Sequence, residues 1–349
     1  MTSVVPLSLG SAAQQGDRRA LARLLTAVED GAPGADEALA ALFPDTGRAW
    51  RIGITGAPGT GKSTLVAALA RHYRAEDRTV AILAVDPTSP FTGGAILGDR
   101  IRMRDLAGDS GVFIRSMAAR GSLGGLAAAT SDLARVLDAC GYSVILVETV
   151  GAGQNEVAVA AMAQTTVVVE APGMGDEVQA IKAGILEIAD VLAVNKADLP
   201  GATNAVRALR TMIETGHPAT RTALVAHHGR LTPVVASPAS SASLWIPPIV
   251  ETAATEGRGI ADLVAAIARH RQFLEQDGEG AASERRQIAL ELFDRLRDTL
   301  ASRLLAQLPD EAVEQAIGAV QARALDPAQA VDRLIAAAQQ DGVAFAPAD

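Results

Sequence analysis

The sequence predicts an α/β protein with a mainly parallel β-sheet, a helical N-terminal extension and a helical C-terminal segment. Short runs rich in β-branched residues alternate with helical stretches, and these runs are apolar on both faces. Parallel strands that are joined by helices are covered on both faces, and they show this pattern. The predicted strands are Arg51–Thr55, Val80–Val85, Val112–Arg115, Ser143–Val147, Thr166–Glu170, Val191–Asn195 and Ile249–Thr252.

Residues 1–45 predict the helical extension that precedes the sheet. Apolar residues recur at helical spacing at Leu21, Leu24, Leu25 and Val28. A proline–glycine pair at 33–34 then separates this helix from a second one near residues 36–43. We expect the α/β domain itself to span residues 46–275.

Residues 216–243 interrupt the alternation of strands and helices. They contain His217-Pro218, the pair His227-His228 and a serine-rich stretch. This composition predicts a long surface loop or a disordered insertion. A metal site at the histidine pair is the less favoured interpretation, because no third ligand lies nearby in sequence.

Residues 276–349 predict a separate helical segment. An apolar stripe of one long helix comprises Ile288, Leu292, Leu296, Leu300 and Leu304. We expect Ser283 to cap this helix, Pro309 to end it, and Asp326-Pro327 to start another. This segment does not look catalytic, and it either packs on the core or serves association. The stripe follows a complete α/β domain, so it favours association.

The turn after the first predicted strand carries the most specific motif. Residues 56–63 read GAPGTGKS and match the phosphate-binding P-loop pattern, between a strand and a helix. Backbone N–H groups and the positive end of a helix dipole then meet at one point, which suits a polyphosphate. Lys62 would reach the β- and γ-phosphates, and the Ser63 hydroxyl would bind Mg²⁺. The predicted nucleotide-binding residues here are Gly56, Pro58, Gly59, Thr60, Gly61, Lys62, Ser63 and Thr64.

A second apolar strand ends in an acid that is followed by a glycine. Residues 145–151 read ILVETVG, which predicts that Glu148 holds Mg²⁺ or one of its waters. Gly151 begins a flexible segment whose backbone N–H would sense the γ-phosphate. Gln154 follows this segment and could position the attacking water.

Two further acids are candidates for the metal region. Asp86 closes the strand at 80–85, and Asp99 lies in a glycine-rich stretch that follows it. Both would reach the metal from loops at the carboxyl edge of the sheet, where open α/β sheets bind ligands. The alternative for each acid is a helix cap or a surface charge.

The tetrapeptide at 195–198 distinguishes guanine from adenine nucleotides. It reads NKAD and matches the N-K-x-D pattern after a strand. The carboxylate of Asp198 would accept two guanine N–H groups, which adenine does not offer at that edge. The motifs together therefore predict a site for GTP or GDP with Mg²⁺.

Composition restricts the classes of partner and compartment. The chain has 349 residues, a net charge of −9 and one cysteine, Cys140. The negative charge argues against nonspecific binding of nucleic acid. A single cysteine fits a reducing compartment, and its simplest role is that of a small buried apolar residue. We find no signal peptide and no apolar run long enough to span a bilayer, so we expect a cytoplasmic protein without a membrane partner.

Several stretches resemble the MeaB/ArgK family of GTPases. The most specific of them is residues 83–103, which read LAVDPTSPFTGGAILGDRIRM. The others are residues 113–117, 124–126, 147–151, 153–154, 172–177, 195–198 and 245–248. The resemblance as a whole extends over most of residues 15–275.

The resemblance implies a GTPase that serves an adenosylcobalamin-dependent acyl-CoA mutase, typically methylmalonyl-CoA mutase. Such proteins gate cofactor loading and protect or rescue the mutase, and they are homodimers joined through a C-terminal helical arm. The family pattern assigns Asp86, Asp99 and Glu148 to the metal region. It assigns Asn195 and Asp198 to the base, in the motif that also contains Lys196. It further implies that residues 176–182 form a third switch loop. By the same resemblance, Thr252 and Ala253 belong to the last guanine-side loop.

The chain also departs from the family pattern. Ser122 stands where histidine is expected, Asn155 where serine is usual, and the 216–243 segment is longer than the ordinary connection. These departures bear on the identity of the partner more than on nucleotide chemistry.

Other functions of the same fold are alternatives. A nickel-insertion GTPase would carry cysteine and histidine clusters, which this sequence lacks. A small-molecule kinase would need an acceptor site and would leave the N-K-x-D motif unexplained. A protein that binds GTP without hydrolysing it differs in nothing that the sequence records.

Overall fold

The computed structural model of the chain describes residues 5, 7–86, 103, 105–106, 108–118, 123–149, 155–173, 188–215, 222–227, 230–235, 245–276 and 279–340. Within them the chain divides into two compact units, residues 1–288 and residues 289–349.

The first unit is built on a seven-stranded sheet in which every strand pair is parallel. Its strands are Trp50–Thr55 (β1), Val80–Asp86 (β2), Val112–Ala118 (β3), Val144–Thr149 (β4), Thr165–Glu170 (β5), Val191–Val194 (β6) and Ile249–Glu251 (β9). The order across the sheet is β3-β2-β4-β1-β5-β6-β9. All seven predicted strands are confirmed, with small differences at their ends. Because β1 lies at the centre, its carboxyl end is flanked by those of β4 and β5.

Helices cover both faces of this sheet. Those of the first unit are Leu7–Gln14 (α1), Arg18–Glu29 (α2), Ala35–Leu42 (α3), Lys62–Ala75 (α4), Leu123–Ala139 (α5), Asn155–Met162 (α6), Ala202–Thr215 (α7) and Ile260–Gln276 (α8), with a short 3-10 helix at Phe43–Asp45. One apolar cluster joins the sheet to α2, α5 and α6, and a second joins its other face to α4 and α8. The strands are therefore buried on both sides, which explains their apolar runs.

The N-terminal extension forms the predicted pair of helices, α2 and α3. The apolar stripe of α2 is buried, and Asp17 caps its start by accepting from the backbone N of Arg19 at 2.8 Å and of Ala20 at 3.1 Å. The second helix begins after the predicted break, at Ala35.

Two arginines join this extension to β3, the edge strand. The guanidinium of Arg18 donates to the carbonyl oxygens of Ser110 at 2.8 Å and Val112 at 2.7 Å. Arg115, on β3 itself, forms an ion pair with Glu29 at the end of α2. The extension is thus fastened to the edge strand by one contact to the backbone of β3, at Val112, and by an ion pair between side chains.

The prediction of a loop or disordered insertion at 216–243 is wrong in its central part. Thr222–His227 (β7) and Arg230–Val235 (β8) pair as an antiparallel hairpin, in which His227 is opposite Arg230. Both strands are rich in β-branched and apolar residues, which favour this structure. Their short length between turn-forming residues made the segment resemble a loop.

The C-terminal residues form three helices, as the sequence predicts in outline. They are Glu279–Gln307 (α9), Asp310–Gln321 (α10) and Pro327–Gln340 (α11). Asp326 caps α11 by accepting from the backbone N of Ala328 at 2.8 Å and of Gln329 at 3.1 Å. Ser283 does not cap α9, however, because that helix already begins at Glu279.

No helix within the described ranges combines the length and the apolar character that a bilayer span requires.

Candidate functional site

The turn between β1 and α4 is shaped by three glycines. Gly56, Gly59 and Gly61 have φ of 135°, 81° and 90°, which glycine adopts far more readily than other residues. A Cβ on Gly56 would lie 2.1 Å from the carbonyl oxygen of Val169. One on Gly61 would lie 2.5 Å from Nδ2 of Asn195. The loop therefore packs directly against the ends of β5 and β6, and space as well as conformation requires glycine at positions 56 and 61. At Gly59 only the conformation does, because nothing lies within 4 Å of a Cβ there.

The remaining motif residues close this loop and start the helix. Thr60 donates from Oγ1 to the carbonyl oxygen of Ala57 at 2.9 Å, across Pro58 and Gly59. Thr64 lies in the first turn of α4. The predicted strand, loop and helix are therefore all present in the expected order.

Lys62 is held against the start of the loop. Its Nζ donates to the carbonyl oxygens of Gly56 at 2.7 Å and Ala57 at 3.1 Å, and the residue is only 6% exposed. The ammonium and the N-terminus of α4 thus contribute positive charge at the same point. This arrangement fits a bound anion such as a phosphate.

Ser63 and Glu148 meet next to the loop. The Ser63 hydroxyl donates to Oε1 of Glu148 at 2.5 Å, and both side chains are buried. Glu148 reaches this position because it is in register with Ile54 on the neighbouring strand β1. Hydroxyl and carboxylate oxygens are the hard donors that Mg²⁺ prefers, so the donor set fits a magnesium ion.

The other predicted members of the metal and switch region are described less fully. Asp86 is the last residue of β2, one position beyond the pairing of Val85 with Thr149 at the carboxyl edge of the sheet. Asp99, Gly151, Gln154 and residues 176–182 lie outside the described residues.

Asn195 connects three loops at the carboxyl edge of the sheet. Its Nδ2 donates to the carbonyl oxygen of Thr60 at 2.9 Å. Its Oδ1 accepts from Oγ1 of Thr252 and from the backbone N of Ala254, both at 3.2 Å. The buried amide therefore fixes the phosphate loop relative to β6 and to the loop that follows β9.

Lys196 and Asp198 follow Asn195 in the same turn and are less buried than it is. Lys196 has a φ of 58°, which is uncommon for a lysine, and its Cε lies 3.8 Å from where a Cβ on Gly61 would be. The lysine side chain therefore lies over the phosphate loop. Asp198 is exposed, two residues further along the same turn.

The loop after β9 packs against the turn that follows β6. The backbone N of Thr252 donates to the carbonyl oxygen of Val194 at 2.8 Å, and its own carbonyl accepts from Ala197 at 2.9 Å. Ala253 donates to the carbonyl oxygen of Arg258 at 3.0 Å, which closes the loop. The structure thus brings the P-loop, Glu148, residues 195–198 and Thr252-Ala253 to one edge of the sheet.

Sequence reasoning missed Asp138, which supports the entry to β1. Its carboxylate accepts from the backbone N of Gly47 at 2.6 Å, Arg48 at 3.1 Å and Ala49 at 2.9 Å. A carboxylate in the last turn of a helix is unfavourable for the helix dipole, and Asp138 is the penultimate residue of α5. That position was the signal that it has a partner elsewhere.

Cys140 behaves as the small apolar residue that the sequence predicts. Burial raises the pKa of its thiol to about 11, so the thiol stays protonated near neutral pH. In the part of the chain that the structure describes, no group of three His, Cys, Asp or Glu residues could hold a metal ion.

This combination of sheet order, glycine loop and neighbouring acid defines an α/β protein with the P-loop GTPase fold. The family model described as methylmalonyl Co-A mutase-associated GTPase MeaB matches residues 21–308. The chain therefore belongs to the MeaB family.

Individual relatives agree with this assignment. An inferred GTPase of Pyrococcus abyssi is 44% identical over 322 residues, which cover 92% of this chain and 93% of the relative. The mouse mitochondrial methylmalonic aciduria type A homolog is 41% identical over 149 residues, which cover 43% of this chain and 36% of that protein. The crystal structure of a LAO/AO transport system kinase covers 97% of this chain and 100% of its own, at 26% identity and a TM-score of 0.66.

Proposed function

We propose that this protein binds GTP with Mg²⁺ and hydrolyses it slowly to GDP and phosphate. The observation that carries the proposal is the convergence of the glycine loop, the Ser63–Glu148 pair and residues 195–198 at one sheet edge. Lys62 and the loop backbone would bind the phosphates. When bound, Mg²⁺ would offset the negative charge that develops on the phosphate oxygens.

The metal would be held by Ser63, with Glu148 acting directly or through a water. The 2.5 Å contact between their oxygens supports a shared role for the two side chains. Asp86 and Asp99 are proposed as further acids of the same region, and Gly151 and Gln154 as the γ-phosphate sensor and the water-positioning residue. Hydrolysis should be slow, because the sequence motifs assign no arginine to the transition state and a partner would have to complete the site.

Base selection is proposed to rest on Asp198. A carboxylate accepts both N–H groups of guanine, and an adenine would leave it without donors. The contacts of Asn195 support a positioning role for that residue, since its amide makes three hydrogen bonds to two different loops. Lys196, Thr252 and Ala253 would line the remaining sides of the base.

We further propose that the protein is a cytoplasmic chaperone of an adenosylcobalamin-dependent acyl-CoA mutase. Support comes from the family description, which names a methylmalonyl-CoA mutase-associated GTPase, and from the mouse relative named for methylmalonic aciduria. GTP binding would order the loops near Asp86–Asp99 and residues 151–154, and hydrolysis would release them. The mutase would bind the GTP-bound and GDP-bound states differently during cofactor loading or rescue.

Residues 276–349 are proposed to be a dimerisation arm, next to a GTPase domain at 46–275 and an extension at 1–45. Large apolar side chains of α9 are exposed in the chain taken alone, including Leu292 at 62% and Leu296 at 53%. A stripe of this kind is expected to be covered by a partner. A second copy of the chain would bury it.

Phosphoryl transfer to a small acceptor is a second candidate, because one structural relative is described as a transport system kinase. The two functions differ in where the γ-phosphate goes. Water as acceptor releases inorganic phosphate in the absence of any other substrate, whereas a kinase requires its acceptor.

A nucleotide-dependent pull-down tests the chaperone proposal. The tagged protein would be incubated with extract of its own cells, with either a GTP analogue or GDP, and bound proteins would be identified by mass spectrometry. We expect an acyl-CoA mutase to be recovered to different extents in the two states. Failure to recover a mutase in either state would contradict the chaperone role and leave the GTPase proposal standing.

A further inference from the structure

Two buried threonine hydroxyls meet beside the candidate site. Oγ1 of Thr149 donates to Oγ1 of Thr55 across 3.3 Å, and the two residues are 2% and 0% exposed. Thr55 is the last residue of β1 and directly precedes Gly56 of the phosphate loop. Thr149 ends β4 and directly follows Glu148.

This hydroxyl pair lies on the sheet face opposite to the metal donors. Side chains alternate along a strand, so Thr149 points away from the side on which Glu148 meets Ser63. The same face is covered by α6, because a Cβ on Gly53 would come within 2.8 Å of Val159 of that helix. The pair is therefore shielded from the phosphate loop by the sheet itself.

The contact extends the pairing of β1 with β4 beyond its backbone register. The last register partners of these strands are Ile54 and Glu148. Thr55 and Thr149 are the next residues, and a side-chain hydrogen bond joins them instead. The two strand ends are thus tied at the level where β1 turns into the phosphate loop.

Stability alone does not account for the pair. Replacing both partners of a buried hydrogen bond by apolar groups of the same shape is nearly neutral, and two valines would fit the same strand positions. The two pairs differ in geometry. A hydrogen bond has a preferred distance and angle, so it fixes the relative position of its two oxygen atoms, whereas the contact between two valines does not.

We propose that Thr55 and Thr149 form a positioning pair that fixes Glu148 relative to the phosphate loop. This inference rests on the proposed GTP hydrolysis and deepens it. The pair touches neither nucleotide nor metal. It acts by limiting the movement of one strand end against the other, and small displacements of catalytic groups reduce rates strongly.

Isosteric variants test the inference. Thr149→Val, Thr55→Val, the double variant and Thr149→Ser would be compared for GTP turnover and for GDP affinity. We expect kcat to fall roughly 3- to 10-fold in Thr149→Val, while the dissociation constant for GDP changes by less than about 2-fold. The double variant should be no slower than the slower single variant, because both remove one interaction. Thr149→Ser keeps the hydroxyl and should recover most of the rate.

A matched control is Thr166→Val, which changes another buried threonine on β5. It should leave kcat unchanged. Equal turnover of wild type and Thr149→Val would overturn the positioning role alone. Parallel losses of kcat and GDP affinity, or a serine variant as slow as the valine variant, would also overturn it. A wild type that binds GTP without turnover would instead overturn the proposed hydrolysis, and the inference with it.

Discussion

At the scale of single residues, Asn195 and Asp198 of the N-K-x-D motif have different surroundings. The amide of Asn195 is bonded to Thr60 on one side and to Thr252 and Ala254 on the other. Asp198 is exposed at the end of the same turn. The amide therefore holds loops together, and the carboxylate of Asp198 is the group that we propose selects the base.

The variant Asp198→Asn should change nucleotide preference rather than abolish binding. Guanine offers two N–H donors to a carboxylate, whereas xanthine has a carbonyl in place of the amino group and suits an amide. We expect the affinity for GTP to fall at least about 100-fold and that for xanthosine triphosphate to rise. Competition against a fluorescent nucleotide measures both.

Asp262→Asn is the matched control, because it changes an exposed acid on α8. It should leave both affinities unchanged. An Asp198→Asn protein whose GTP affinity stays within about 2-fold of wild type would remove Asp198 from the base site.

Some residue-level roles could be predicted from the sequence and others could not. The glycines of the P-loop were identified because the motif is local and its spacing is specific. The role of Asn195 depends on a contact with Thr60, 135 residues earlier, which no local pattern records. The partners of Asp138 also lie about 90 residues away, and the one local signal was its unfavourable place at the end of α5.

At the scale of elements, the sheet was predictable because its strands are short, apolar and buried on both faces. The hairpin at β7 and β8 was not predicted, because its strands lie among histidines, prolines and serines that indicate a loop. The start of α9 was placed too late, at Ser283, because a good capping residue within a helix looks the same in sequence as one at its end.

The variant Asp138→Asn should destabilise the segment at residues 47–49 that leads into β1. It replaces a charged acceptor of three backbone N–H groups by an amide with a single acceptor oxygen. We expect a loss of about 1–3 kcal/mol in the free energy of unfolding, measured by urea denaturation.

Glu214→Gln is a suitable control for the Asp138→Asn variant. Glu214 is exposed and is also the penultimate residue of its helix, α7. Its replacement should be neutral or slightly stabilising, because it removes a negative charge from a helix C-terminus. An Asp138→Asn protein as stable as Glu214→Gln would show that the three contacts contribute little.

At the scale of the whole molecule, α9 carries a stripe of large apolar side chains that are exposed in the isolated chain. Leu292, Leu296 and Leu300 lie at successive i, i+4 positions and are 62%, 53% and 40% exposed. The sequence predicted this stripe from its period. It could not identify what covers the stripe, because a partner's surface is not encoded in the pattern of one chain.

Replacing Leu292 and Leu296 together by lysine should convert a homodimer into a monomer. Two buried ammonium groups would oppose association, since each would lose its hydration. Light scattering after size-exclusion chromatography measures the mass. Ser302→Lys, at an exposed position of the same helix, should remain dimeric. A wild-type protein that is monomeric at all concentrations would contradict the proposal that residues 276–349 are a dimerisation arm.

Phosphate release from GTP shows whether the nucleotide is hydrolysed at this edge of the sheet and whether Mg²⁺ is required. The purified protein would be given GTP or ATP, with and without Mg²⁺, beside the variant Lys62→Ala. We predict slow phosphate release from GTP that requires Mg²⁺, little release from ATP, and a loss of at least about 10-fold in Lys62→Ala. No release from GTP under any condition, or equal release from both nucleotides, would contradict the account.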